Sequence, residues 1–321
     1  MASGLTHILL TKKLQDKFSD GVLKDVLAMC ADSFQVGAVA PDLPYASIAD
    51  NDFFLSNESP LADNFHYRKT NQIPLQALKK LRSLKGQIDE EIHFHMFSFF
   101  LGYISHVLAD GIIHPFVRDK VGEYEGNQAE HRSLEMQLDV LFMEELTKKT
   151  GLTSELNYSN LHDELKNFPE IVGSTMIIEI FSDLIKEIYN EEYPVEKIVG
   201  WIEGLHTMFE IAEGDHPRFY RILKSNSFTY RNRTDINRQK AVILNKPVDR
   251  EINFLKVNEV DFFNDCIPHY YRKFVEIAQK AYEYVFEDGI ELNEKDIPLI
   301  NLDTGRLADD NNLDLIPEFW K

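Results

Sequence analysis

The chain has 321 residues, and its 34 Lys and Arg against 53 Asp and Glu give a formal net charge of −19. Such an acidic chain is poorly suited to bind long DNA or RNA along the phosphate backbone, because that affinity depends on clustered basic side chains. An anionic membrane surface is disfavoured for the same reason. A hydrophobic content of 44% at this length is enough to bury a sizeable core, which argues against intrinsic disorder.

Cysteine usage and apolar runs restrict the class of protein further. Cys30 and Cys266 lie far apart in the sequence, and neither belongs to a CxxC pair, so neither a disulfide framework nor a cysteine zinc site is indicated. The first residues lack the basic start, sustained apolar run and small-residue cleavage site of a secretory signal, so we expect a cytoplasmic protein. The most apolar stretch, 92–108, contains histidines and has acidic flanks. It is predicted to be a buried helix, and no transmembrane segment is predicted.

Apolar residues recur at spacings of three and four along most of the chain, which predicts an all-α fold in a single multi-helix domain over residues 1–321. In chain order, the predicted helices span roughly 10–18, 21–36, 74–83, 88–111, 128–149, 168–191, 194–213 and 258–288. Loops rich in Pro, Asp and Asn are predicted at 39–53 and 56–67. The helical pattern breaks near 225–257, where a loop or hairpin insertion is predicted. The charged C-terminal segment is expected to lie on the surface, with Trp320 as its anchor.

Histidines and carboxylates occur together at helical spacing on two of the predicted helices. The residues at intervals of four are His106, Asp110 and His114 on the first helix, and His131 and Glu135 on the second. Residues four apart share one face of a helix, so an imidazole nitrogen and a carboxylate oxygen can reach one point. Because Pro115 follows His114 directly, we expect the helix to end or bend there and to turn His114 elsewhere.

Each of these pairs has a plain structural explanation when it is taken alone. A His-Asp pair on an apolar helix is more often hydrogen-bonded inside a core, and a His-Glu pair on a charged helix is often a solvated face. The helix with His106 and Asp110 is otherwise almost wholly apolar, and burying a carboxylate there without a partner would be costly. A metal ion is a natural partner, since this ligand mix suits zinc and also iron or manganese.

Five short segments of the sequence are informative because of the order in which they occur along the chain. They are Thr6-His7, GAVAPDLPY (37–45), FHY (65–67), FFLGYISHVLADGIIHP (99–115) and HRSLE (131–135). Together they resemble the zinc-dependent phospholipase C family, whose all-α fold and metal site are shared with the P1/S1-type nucleases. The resemblance covers residues 1–150, and residues 151–321 are expected to continue the helical fold.

The resemblance implies the ligands of two zinc ions. Those of the first would be Asp42, His66, His106 and Asp110, and those of the second His114, His131 and Glu135. A water or hydroxide bridging the ions would be the nucleophile, with Asp42 placed to orient or deprotonate it. In the family a third ion binds an N-terminal Trp together with residues that match His7 and Asp110. This chain begins Met-Ala-Ser-Gly-Leu-Thr-His, so the third ion lacks its usual Trp ligand.

Further residues have expected supporting roles around the ligands. Asp139 is a candidate acceptor for the hydrogen bonds that orient His114 and His131. Tyr45, Phe65 and Tyr67 flank proposed ligands and are candidates for the pocket wall.

Two metal ions a few ångströms apart can stabilise the attacking and leaving oxygens of an in-line displacement at phosphorus. The sequence therefore predicts a metal-dependent hydrolase of phosphoesters, of the phospholipase C type, acting on a phospholipid or a small phosphodiester. One alternative is a P1-type nuclease or nucleotidase, although the net charge of −19 counts against polynucleotide substrates. Another is a helical interaction protein with structural metals, which would have closed coordination at both ions.

Overall fold

The computed structural model describes residues 4–49, 57–150, 163–213, 255, 260–310 and 312–321. These residues are mostly helical and include very little strand, which confirms the predicted all-α class. The insertion predicted at 225–257 lies outside the described residues, apart from Leu255.

The described helices are numbered here in chain order. They are α1 (Gly4–Lys12), α2 (Val22–Met29), α3 (Ala31–Ala38), α4 (Ser59–Tyr67), α5 (Gln72–Leu84), α6 (Glu90–Val121), α7 (Gln128–Thr150), α8 (Asp163–Asn167), α9 (Ser174–Tyr189), α10 (Val195–Glu213) and α11 (Ile267–Phe286). Short 3-10 helices span Leu14–Lys17, Ala40–Ala49, Phe168–Glu170 and Glu318–Trp320, and a π-helical turn, Phe262–Cys266, precedes α11. Strands β1 (Ile300–Asn301) and β2 (Arg306–Leu307) pair antiparallel, with Ile300 opposite Leu307.

Helix α6 is the centre of the fold. It is buried over most of its 32 residues and contacts α1, α3, α5, α7, α9 and α11. Its N-terminus is capped by Asp89, whose side chain accepts hydrogen bonds from the backbone N–H groups of Glu91 and Ile92. By length and composition α6 could cross a membrane, but its most apolar window is wholly buried inside the protein. It therefore occupies the place of a core helix, as its sequence predicts.

Two glycines allow α3 and α6 to touch backbone to backbone. A Cβ atom added at Gly37 would lie 1.9 Å from the carbonyl oxygen of Phe99, and one at Gly102 would lie 2.2 Å from the carbonyl oxygen of Phe34. No larger residue fits at either position without moving a backbone. The close approach brings the end of α3 against the turn of α6 that precedes the proposed metal ligands.

Several helix ends differ from their predicted positions. The first helix begins at Gly4, and the predicted helix at 21–36 is two helices that meet at Cys30. Helix α6 continues to Val121, well beyond its predicted end at 111. Burial against neighbouring helices, rather than the local sequence pattern, decides these ends.

The two segments predicted as loops are helical over most of their described residues. Ala40–Ala49 is a 3-10 helix and Ser59–Tyr67 is α4. The proline that favoured a loop, Pro60, lies in the first turn of α4, where its missing N–H has no helical partner to lose. The helix then buries one face, which includes Phe65 and His66.

The C-terminal segment folds back onto α6. The indole N–H of Trp320 donates to the carbonyl oxygen of Ile112 at 3.1 Å, and its ring stacks on His269 at 4.8 Å. Trp320 is thus the anchor that the sequence predicts. Gly305, in the turn of the β1–β2 hairpin, has a φ of +66°, and a Cβ atom there would lie 2.6 Å from the carbonyl oxygen of Gly111. The hairpin therefore lies directly on the ligand-rich part of α6.

Candidate metal centre

Five of the proposed ligands converge in the interior from four separate segments. His7 belongs to α1, Asp42 to the 3-10 helix after α3, His66 to α4, and His106 and Asp110 to α6. Ligand atoms of His7, Asp42 and His106 lie within 4.8 Å of one another, and so do ligand atoms of His66, His106 and Asp110. All five side chains are buried. The structure thus brings together residues that are up to 103 positions apart, from His7 to Asp110.

Hydrogen bonds to the backbone orient two of these histidines. Nδ1 of His66 lies 2.7 Å from the carbonyl oxygen of Ala62, and Nδ1 of His106 lies 2.9 Å from the carbonyl oxygen of Ala38. A carbonyl oxygen can only accept, so each Nδ1 carries a proton, and in the neutral form of each ring the Nε2 lone pair points inward. The two Nε2 atoms lie 3.2 Å apart. Two lone pairs at this distance repel each other unless a cation or a proton lies between them.

Asp110 presents its two oxygens to different histidines. Its Oδ2 lies 3.3 Å from Nε2 of His106 and 3.7 Å from Nε2 of His66. Its Oδ1 lies 3.3 Å from Nε2 of His7 and 3.2 Å from Nε2 of His114. Asp110 is therefore placed between two groups of imidazoles, and each of its oxygens would be available to a metal ion.

Electrostatic interactions keep the two central carboxylates ionised. Burial raises the pKa of Asp42, but the positive charge of His106 and His66 in their protonated forms outweighs it and the net shift is downward. Burial also raises the pKa of Asp110, yet His114 and His106 hold it well below its usual value. Conversely, burial lowers the pKa of His114, while the carboxylate of Asp110 makes the net shift upward. Ionised carboxylates are the form that binds a divalent cation.

The residues present fit a divalent cation. Both ring nitrogens of His7 and Oδ1 of Asp42 are buried and make no hydrogen bond within the described part of the chain, although buried polar atoms are normally satisfied. Oδ1 of Asp42 lies 3.3 Å from Nε2 of His66, but in the tautomer assigned above that nitrogen has no proton to donate. Imidazole nitrogens and carboxylate oxygens in this mix are the donors that zinc prefers when no sulfur is present.

The three residues proposed for a second ion are buried but less tightly grouped. Among the described residues, His114, His131 and Glu135 form no group as compact as the two above. Nε2 of His131 lies 2.8 Å from the carbonyl oxygen of Gly122, so that nitrogen carries the proton and Nδ1 has the lone pair. Their role as ligands of a second ion stays a prediction.

The expectation that Pro115 turns His114 away is wrong. Helix α6 continues through Pro115 to Val121, and His114 stays on the same face as Asp110. Pro115 lacks the N–H that would bond the carbonyl oxygen of Gly111, and the hairpin turn packs against that oxygen instead. The helix is supported where the proline weakens it.

Groups other than the predicted acceptor, Asp139, contact two of the proposed ligand histidines. Asp139 accepts a hydrogen bond from the hydroxyl of Thr6 at 2.6 Å. His131 instead uses a backbone carbonyl, as described above, and Nδ1 of His114 faces Oδ1 of Asp303 at 3.6 Å. Sequence reasoning missed Asp303, because it lies far from the ligands along the chain and outside the resembling segments.

Tyrosines and one carboxylate line the partly exposed side of the centre. The rings of Tyr45 and Tyr67 lie 5.6 and 6.4 Å from the ring of His66. The hydroxyl of Tyr45 donates to the exposed carboxylate of Asp63 at 2.7 Å. Tyr124 is 41% exposed, and its ring lies 5.3 Å from that of His131.

Phe65, by contrast, does not line a pocket. It is fully buried and contacts the rings of Tyr103, Phe181 and Tyr189 in the core. Its place next to His66 on α4 explains the error, since neighbouring residues on a helix point in different directions.

Comparison with known proteins agrees with this geometry. The family model of zinc dependent phospholipase C matches residues 6–195. The chain therefore belongs to the zinc-dependent phospholipase C family, and the fold and site define a helical, metal-dependent phosphoesterase. No curated protein and no solved structure matches the chain significantly. The matched range includes every proposed ligand and ends long before Asp303.

Proposed function

We propose that the protein is a phospholipase C-type hydrolase that cleaves the bond between glycerol and phosphate in a phospholipid, or in a small phosphodiester of the same chemistry. The observation that carries the proposal is the buried convergence of His66, His106 and Asp110 with Asp42 in a chain of this family. When bound there, zinc supplies polarisation of the phosphoryl oxygens and activation of a water molecule. The protein's own residues must bind the substrate, orient the water and accept its proton.

Asp42 is the residue best placed to orient the attacking water and accept its proton. Its side chain is 9% exposed, whereas that of Asp110 is 0% exposed. Of these two carboxylates, Asp42 is therefore the one that solvent or substrate can reach. As a carboxylate, it can accept a hydrogen bond from a water molecule that enters the site. These properties support Asp42 as the catalytic base.

The tyrosines on the partly exposed side favour a substrate with a small cationic head group. The faces of aromatic rings attract ammonium groups, and the carboxylate of Asp63 beside Tyr45 adds a full negative charge. A choline or ethanolamine head group has this chemistry. The acidic balance of the whole chain, −19, also disfavours a long polyanion on the same surface.

A hydrolysis panel tests the proposal. Zinc-loaded protein would be assayed with choline- and ethanolamine-headed phospholipids, bis-p-nitrophenyl phosphate, single-stranded DNA and nucleoside monophosphates. We expect release of diacylglycerol and hydrolysis of the small diester, and loss of both in Asp42→Asn. Preferential cleavage of DNA or nucleotides would favour the P1-type alternative. Cleavage of none of the substrates would contradict the proposal and favour a helical interaction protein with structural metals.

A further inference from the structure

The β1–β2 hairpin contacts the metal centre, although it lies beyond the residues that match the family. In the hairpin turn, the backbone N–H of Leu302 donates to the carbonyl oxygen of His66 at 2.9 Å. The next residue, Asp303, places Oδ1 3.6 Å from Nδ1 of His114. Two consecutive residues of the turn therefore face two proposed ligands from different helices.

Asp303 is fixed in this position by partners on both sides. Its backbone N–H donates to the side-chain oxygen of Asn301 at 3.0 Å. Its Oδ2 accepts a hydrogen bond from the guanidinium of Arg118, which lies one turn after His114 on α6. Its side chain is only 16% exposed. An aspartate side chain is ordinarily ionised at neutral pH, and the cationic guanidinium against Oδ2 favours that form, so the group faces His114 as a carboxylate.

Two carboxylates thus flank the ring of His114. Oδ1 of Asp110 lies 3.2 Å from Nε2, and Oδ1 of Asp303 lies 3.6 Å from Nδ1. A neutral imidazole has one ring proton, and the two carboxylates compete for it. If the proton stays on Nε2, that nitrogen has no lone pair for a metal. If it moves to Nδ1, Nε2 becomes a ligand.

We propose that Asp303 is a positioning residue of the metal centre, which keeps the proton of His114 on Nδ1 so that the Nε2 lone pair, on the side of the ring that faces Asp110, is available to a metal ion. The 3.6 Å separation exceeds a direct hydrogen bond, so in this structure the carboxylate acts through its charge. A cation on Nε2 makes the Nδ1 proton more acidic and strengthens that attraction. Carboxylates in this position raise the basicity of ligand histidines and fix their orientation.

The inference rests on the metal centre of the proposed function but not on its substrate, so zinc affinity tests it without any substrate. The test compares Asp303→Asn with Asp310→Asn, a matched change at an exposed aspartate just after the same hairpin. Each full-length protein would be stripped of metal and titrated with zinc against a chromophoric chelator. We expect Asp303→Asn to weaken zinc binding about 10- to 100-fold. The Asp310→Asn control should bind zinc like the unchanged protein.

A double-mutant cycle with His114→Gln separates positioning from a general structural role. If Asp303 acts through His114, Asp303→Asn should cause no further loss of zinc affinity in the His114→Gln background. Losses that multiply in the double mutant would overturn the proposal, as would unchanged affinity in Asp303→Asn. If Asp303→Asn does not fold, Arg118→Gln releases the carboxylate without removing it and should also weaken binding. Unchanged affinity in Arg118→Gln would then overturn the proposal.

The same titration distinguishes this proposal from the proposed function. Protein that binds zinc, depends on Asp303 for affinity and hydrolyses nothing in the panel contradicts the function and supports the role of Asp303. Protein that binds no zinc overturns both.

Discussion

The Nε2 atoms of His66 and His106 face each other at 3.2 Å, while each ring donates its Nδ1 proton to a backbone carbonyl oxygen. In the metal-free protein this arrangement is unfavourable, because two inward lone pairs repel unless one ring takes up a proton. A cation converts the same two lone pairs into ligands. The backbone of α3 and α4 therefore prepares the centre for a metal ion, and the protein is expected to depend on that ion for its stability.

Metal removal is the first test of this dependence. Stripping the protein with a chelator should lower its thermal midpoint and abolish phosphoesterase activity, because metal binding is linked to folding. Zinc at about 100 times its Kd would add roughly 2.7 kcal/mol to the free energy of unfolding. Calorimetry before and after zinc is restored measures the change in thermal midpoint. Elemental analysis of the restored protein is expected to give about two ions per chain. An unchanged midpoint in verified metal-free protein would contradict it.

Replacement of Asp110 should be more damaging than that of any exposed aspartate. Its two oxygens contact imidazoles on both sides. Asp110→Ala should therefore weaken zinc binding by on the order of 100-fold or more. A loss of about 100-fold is the largest usually caused by replacing a residue that only supports a ligand. Asp309→Ala, at an exposed position, is the matched control. Zinc titration and hydrolysis assays measure both variants. If Asp110→Ala behaves like its control, the assignment of Asp110 as a ligand is wrong.

The close crossing of α3 and α6 predicts a severe effect of a single methyl group. In Gly102→Ala the new Cβ would lie 2.2 Å from the carbonyl oxygen of Phe34. The helices must separate, which should lower the free energy of unfolding by about 1–3 kcal/mol or more. The bond from His106 to Ala38 should weaken with them, and zinc affinity should fall.

Gly21→Ala is the control for that substitution, since nothing lies within 4 Å of a Cβ at Gly21. Gly21 is the N-cap of α2, where alanine is less favourable than glycine, so the free energy of unfolding should fall by only about 1 kcal/mol or less. Urea unfolding of the metal-free proteins compares the two. Equal stability of both variants would show that the crossing tolerates a side chain.

The buried histidines outside the centre predict how stability responds to acid. Burial lowers the pKa of His93, and the hydrogen bond from its Nε2 to the carbonyl oxygen of Leu81 only partly opposes this shift. The unfolded chain therefore binds more protons than the folded one below about pH 6.5. The contribution of His93 to the free energy of unfolding is therefore fully present above that pH. It is lost as the pH falls through the lower pKa that His93 has in the folded protein.

Urea unfolding of metal-free protein between about pH 7 and pH 5 measures this loss. His93→Gln should reduce the slope of unfolding free energy against pH without removing it, because burial also lowers the pKa of His95 and His269. An identical slope in the variant would show that His93 does not contribute.

The sequence predicted different parts of the centre by different routes. His106 and Asp110 could be found from their spacing alone, because they share a helix face in an apolar segment. His7, Asp42 and His66 could be found only from the family resemblance, since no local rule links residues of separate helices. Asp303 could be found by neither route, because its contact with His114 depends on how the C-terminal hairpin packs.

The fold was predictable in class but not in detail. Helical periodicity identified the all-α architecture, whereas the helical state of Ala40–Ala49 and Ser59–Tyr67 was missed. Both segments are rich in residues that favour turns, and burial of Leu43 and Phe65 overrides that preference. Tertiary contacts of this kind are not visible in a window of sequence.

The hairpin also affects the order in which the centre can be completed during synthesis. Proteins emerge from the ribosome N-terminus first, so every proposed ligand, from His7 to Glu135, is exposed before the hairpin exists. Leu302 and Asp303 are synthesised more than 160 residues after Glu135, the last proposed ligand. A prematurely terminated chain would thus contain the whole ligand set and the whole family-matched region, and would still lack the carboxylate that orients His114. Synthesis must therefore continue past Asp303 before the zinc site can be correctly assembled.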